Sequence, residues 1–103
     1  MAYAGTTQTL NANQTWTSNT LNPGPADTLN GIVFAAPGGT LNVEQSADGT
    51  NWDVGQSITV ASGVGQGFSV PVYGPYLRLR YVNGGTNQTA FRIAARFSSA
   101  GPR

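Results

Sequence analysis

Tyr76-Leu-Arg-Leu-Arg-Tyr-Val82 and Thr89-Ala-Phe-Arg-Ile-Ala-Ala-Arg-Phe97 decide how this chain folds. In the first, Leu77, Leu79 and Tyr81 alternate with Arg78 and Arg80; in the second, Phe91, Ile93, Ala95 and Phe97 alternate with Arg92 and Arg96. A period of two is that of a pleated strand, which turns successive side chains to opposite faces. Each stretch therefore reads as a strand with one apolar and one cationic side. Asn83-Gly-Gly-Thr-Asn87 lies between them and supplies the backbone freedom of a turn. A hairpin closed there pairs Val82 with Gln88 and sets Leu79 opposite Phe91, Leu77 opposite Ile93 and Arg78 opposite Arg92. A slip of one residue would turn arginines into the core at a heavy desolvation cost. The expectation is a hairpin carrying all four arginines on one outer stripe.

Outward from this pair the same grammar repeats. Short runs rich in Thr, Val, Ile and aromatics lie near Thr6 to Leu10, Thr15 to Asn19, Leu29 to Ala35, Thr40 to Gln45, Trp52 to Val60 and Gly67 to Tyr73. Between them fall Asn22-Pro-Gly-Pro25, Pro37-Gly-Gly39, Asp48-Gly49, Gly63 to Gly65 and Gly74-Pro75, each a chain-reversing combination. No window shows apolar residues at helical spacing over three turns. Thr-Leu-Asn recurs at Thr9, Thr20, Thr28 and Thr40, too irregularly for a solenoid but in the rhythm of strand and turn. Leu41, Val43 and Gln45, and Phe68, Val70 and Val72, offer further one-sided layers. Eight such strands bury their apolar sides most simply as two antiparallel sheets packed face to face. The fold class is all-β: a two-sheet antiparallel β-sandwich of about eight strands, jelly-roll or immunoglobulin-like, with a closed barrel as the alternative. The 103 residues suit one domain, with residues 1–9 as an extended N-terminal arm.

Composition removes several kinds of chemistry. There is no His, Cys or Lys, so imidazole bases, thiolate nucleophiles, Schiff-base amines and His/Cys metal sites are all missing. The chain is expected to be neither an enzyme nor the holder of a cofactor or metal. Met1 to Gln8 lacks the basic and apolar regions of a signal peptide, and no apolar run is long enough to cross a bilayer, so synthesis in the cytosol is expected. A net charge of +1 creates no field that would select nucleic acid or an anionic membrane. Charged residues make up only 9% of the chain, so its surface must consist mainly of neutral amides, hydroxyls and small side chains. Such groups are cheap to desolvate and easy to satisfy across a contact. The composition reads as that of an assembly component.

Three constellations invite a functional reading. Asp48-Gly-Thr-Asn-Trp-Asp53, with Glu44 nearby, has carboxylates but not the ligand spacing of a calcium loop, and reads as a hairpin turn with Trp52 anchoring the following strand in the core. Arg78, Arg80, Arg92 and Arg96 form a cationic stripe suited to clamping the carboxylates of a partner protein. Tyr3 and Trp16 are the aromatic candidates for contact with a partner or a sugar. An enzyme would have to work through Glu44 or Asp53, beside which no activated group is apparent.

The run Gly39-Thr-Leu-Asn-Val-Glu-Gln-Ser-Ala-Asp-Gly-Thr-Asn-Trp-Asp53, followed by Pro75-Tyr-Leu-Arg-Leu-Arg-Tyr-Val-Asn-Gly84 and then Gln88 and Phe91-Arg92, resembles small β-sandwich structural proteins of tailed bacteriophages. The resemblance covers roughly the last two thirds of the chain. It implies a virion protein, with head decoration as the role that suits a small chain without a shaft. The major capsid protein is then the partner, the chain a homotrimer at local threefold positions, and the capsid surface its location. No nucleic acid, membrane or cofactor is implied. The alternative under the same resemblance is a tail or fibre component with a carbohydrate- or receptor-binding face.

Overall fold

The structure, a computed structural model, describes residues 3–98. Eight strands follow one another: β1 (Tyr3–Thr6), β2 (Thr15–Thr17), β3 (Thr28–Ala36), β4 (Gly39–Ser46), β5 (Val54–Val60), β6 (Gln66–Pro71), β7 (Tyr76–Asn83) and β8 (Ala90–Ser98). They form two four-stranded antiparallel sheets, sheet 1 in the order β1-β8-β3-β6 and sheet 2 in the order β2-β7-β4-β5. The pairs β1·β8, β2·β7, β3·β6 and β4·β5 are those of one long ribbon folded back on itself with its tip at the β4–β5 hairpin. Rolling that ribbon brings β8 beside β3 and β7 beside β4. This is the jelly-roll order, and it decides between the sandwich topologies left open above. β5 and β6 end their respective sheets without pairing, so the sandwich is not a closed barrel.

The expected β7–β8 hairpin does not form. β7 pairs with β2 and β4, whereas β8 pairs with β1 and β3 in the other sheet. The two strands face each other across the core, with the rings of Tyr81 and Phe91 4.7 Å apart. Alternation correctly fixed which side of each strand is buried, but hairpin neighbours and strands facing across a core demand the same alternation. Polar groups in the connection make the difference. The buried Asn83 side-chain amide donates to the carbonyls of Asn11 at 2.8 Å and Thr86 at 2.9 Å, and the buried Gln88 exchanges two bonds with Leu10. These bonds tie the connection to the link before β2 and carry the chain from one sheet to the other. At the opposite end Gln45, also buried, donates to the Pro71 carbonyl at 2.8 Å and accepts from the Tyr73 and Gly74 amides. It pins the β6–β7 crossover in the same manner.

The core comprises the inward side of all the long strands: Leu29, Val33 and Ala35 from β3, Leu41 and Val43 from β4, Leu77, Leu79 and Tyr81 from β7, and Phe91, Ile93, Ala95 and Phe97 from β8. Burying each large side chain contributes about 1.5–3 kcal/mol. At the β3–β4 crossover the backbones come so close that a Cβ on Gly38 would collide with the Val60 carbonyl, and one on Gly39 with the Val82 carbonyl. The first strand lies earlier than its expected position at Thr6 to Leu10. Tyr3–Thr6 is an edge strand on β8, and Leu10 caps the core from a loop. Part of the stretch read as an arm is therefore sheet.

Candidate functional site

The arginines do not share a stripe. Arg78 and Arg80 lie on the outer face of sheet 2, and Arg92 and Arg96 on the outer face of sheet 1, because β7 and β8 belong to different sheets. Trp16, in β2, turns inward and packs edge-on against Phe91 with ring centroids 6.4 Å apart. Trp52, expected in the core, lies in the β4–β5 loop under the Arg78 guanidinium at 4.3 Å. The two tryptophans thus exchange their expected environments. Strand parity explains it: Trp16 is the register partner of the inward Tyr81, whereas Trp52 precedes β5 and has no sheet parity to obey. The Tyr3 backbone pairs with Arg96, and the Tyr3 side chain lies outside the described part of the structure.

The loop 46–53 is the turn its sequence suggested, centred on Asp48. The Asp48 carboxylate accepts from the Asn51 and Thr50 amides, the Asn51 side chain and the Ser46 hydroxyl. Those donors, the Asn51 amide foremost, hold the carboxyl well below the usual carboxylate range. Gly49 takes the left-handed conformation at φ +81° that the turn needs. The carboxylate's hydrogen-bonding capacity is spent on its own loop. Among the described residues no three acids, histidines or cysteines gather as a metal site.

The outer face of sheet 2 is polar and carries an ion pair. Arg78 Nε donates to Glu44 Oε1 at 2.6 Å, its register partner on β4, while stacking on Trp52. Ser57 donates to Asn42 Oδ1 at 2.7 Å. The outer face of sheet 1 has a different chemistry. Ile32 is 65% exposed between two small register partners, Ala94 on β8 and Gly67 on β6. Arg92 lies over the Phe34 ring at 4.4 Å, and Arg96 sits beside Asn30. None of the four strands of sheet 1 carries an acid, and among the described residues neither Arg92 nor Arg96 has a carboxylate partner. The result is a shallow apolar hollow on each side of Ile32, one bordered by Arg96 and the other by Arg92.

Ile32 and Phe34 were not among the candidate residues. The available signal was Gly31-Ile-Val-Phe-Ala-Ala36, which is apolar at both parities. A strand apolar on both sides expects cover on both sides.

Fold and faces together define a jelly-roll sandwich with one polar outer face that carries an ion pair and one apolar-cationic outer face without an acid. The chain belongs to the family described as Uncharacterised protein YqxG N-terminal domain, whose model matches residues 1–98. Among solved structures it is similar to PBSX exported protein XepA, with a TM-score of 0.88 and 24% identity over 99% of this chain. The chain spans 38% of the length of that protein. It is also similar to a protein of Bacillus endospore appendages that form disulfide-linked pili, with a TM-score of 0.55 and 15% identity over 96% of this chain and 87% of that one. No curated protein matches the sequence. At these identities the likenesses concern the fold, and a chain without cysteine contributes no disulfide of its own.

Proposed function

We propose that this chain is a phage-related structural protein that acts by adhesion, and specifically a head decoration that binds the assembled capsid lattice through the outer face of sheet 1. One observation carries the reading: an exposed apolar hollow around Ile32, flanked by Arg92 and Arg96 with no acid on the same sheet. An apolar patch rimmed by unpaired cations fits a protein surface that presents carboxylates around an apolar knob. With the arginines divided between two faces, a phosphate backbone finds no continuous cationic track. The motifs shared with phage sandwich proteins and the fold shared with XepA point the same way. A decoration of this kind works without turnover or cofactor. It stabilises the shell because it binds the assembled lattice and not free subunits, and its repetition over many sites multiplies a modest contact.

Purified protein mixed with expanded empty shells of the phage that encodes it should sediment with them and raise their melting temperature. Absence of both effects removes the decoration reading. A second reading, an exported module that acts away from the head, is favoured by the fold shared with an exported protein. It expects the chain free in the culture fluid, separate from particles, where decoration expects it on them.

A further inference from the structure

From Val54 to Leu77 the chain contains no charged residue. This stretch includes β5, β6 and the link between them, and among the described residues each of those strands ends its sheet with one side unpaired. Ordinary soluble sandwiches protect such edges with Lys, with Pro inside the strand or with very short strands. β5, Val54-Gly-Gln-Ser-Ile-Thr-Val60, has seven residues with neither charge nor Pro, while the edge strands on the other side, β1 and β2, have only four and three. The exposed large apolar side chains gather at this flank: Val54 (41%) opens β5, Val64 (56%) lies in the β5–β6 link, Tyr73 (66%) follows β6, and Ile32 pairs with Gly67 of β6.

We infer that the β5–β6 flank is where copies of this chain meet one another. A strand edge offers backbone donors and acceptors that an equivalent strand can complete, and flanking apolar side chains add burial. The occupant is a second copy for an electrostatic reason. Charge selects partners and rejects wrong ones, and this flank has none with which to select. The outer face of sheet 1 has two arginines for that purpose. β5 also complements itself: set antiparallel about Ser57, it places Val54 against Val60 and Gly55 against Thr59, with no like charges opposed and no bulky clash. The inference stands whether or not the partner of sheet 1 is a capsid.

The test is the molar mass of the full chain by light scattering over a wide concentration range, for the wild type, for Ser57→Lys and Val64→Glu on the flank, and for Thr20→Lys in the exposed β2–β3 link. The wild type and Thr20→Lys are expected to reach the same multiple of the 10.7 kDa protomer. Each flank variant should raise the dissociation constant at least about tenfold, because a charge must be desolvated or the contact opened. A monomeric wild type at every concentration overturns the inference, as does an oligomer that both flank variants leave intact. Should a flank variant unfold, amide exchange on the wild type decides. Slower exchange in residues 54–60 and 66–71 as concentration rises supports the contact, and exchange independent of concentration overturns it.

Discussion

Arg78 and Arg92 arise from the same alternation of apolar and cationic residues, yet they end in opposite circumstances. Arg78 finds Glu44 at its register position on β4 and a tryptophan beneath it. Arg92 finds Phe34 at its register position on β3 and, among the described residues, no carboxylate. On the outer face of sheet 2 Arg78 is paired with Glu44 and Asn42 with Ser57, and Arg80 stands among polar neighbours, whereas sheet 1 has no acid on any strand and leaves two cations beside an exposed isoleucine. Whether one of these arginines is paired is therefore decided not by the strand that carries it but by the strand beside it.

This contrast exists only while β7 and β8 belong to different sheets, so the largest effects come from breaking that arrangement. Phe91→Ala removes the ring that meets both Tyr81 and Trp16 across the core, and should cost about 3–5 kcal/mol in denaturant unfolding. Asn83→Ala strips the amide that holds the β7–β8 crossover, leaving the Thr86 carbonyl without its donor and the Asn11 carbonyl with the Gln14 amide alone; a loss of about 1–3 kcal/mol is expected in the same measurement. Glu44→Gln sharpens the comparison instead of breaking it. It makes Arg78 resemble Arg92 and should lower stability by only about 0.2–1 kcal/mol, since both partners are partly exposed. The smallest effect concerns the loop beside that face. The Asp48 carboxyl has a lower pKa folded than unfolded, so its contribution to stability is complete above about pH 4 and is lost as pH falls below that value. Asp48→Asn should flatten the acid limb by slightly lowering the melting temperature at neutral pH, with the difference from the wild type shrinking as pH falls below about 4.

Much of this was legible in the residues. Alternation located seven of the eight strands near their final places and correctly assigned inward and outward sides along β7 and β8. Alternation could not reveal partners, because inward-facing Leu79 and Phe91 satisfy their environment equally well beside each other or across from each other. The deciding groups were Gln45, Asn83 and Gln88, polar residues whose burial only the crossovers explain. The arginine stripe failed along with the hairpin on which it rested. The outer face of sheet 1 was hidden for a related reason: Ile32 and Phe34 look like core until Val33 and Ala35 are seen to occupy the opposite, buried parity of the same strand.

Binding through the outer face of sheet 1 is tested most directly by one charge reversal on each face, Arg92→Glu on sheet 1 and Arg80→Glu on sheet 2, measured on expanded phage shells at low ionic strength. Arg92→Glu is expected to weaken binding at least about tenfold, equivalent to about 1.4 kcal/mol, with Arg80→Glu staying close to the unmodified chain. Equal losses from the two reversals, or a greater loss from Arg80→Glu, would contradict the assignment of adhesion to sheet 1.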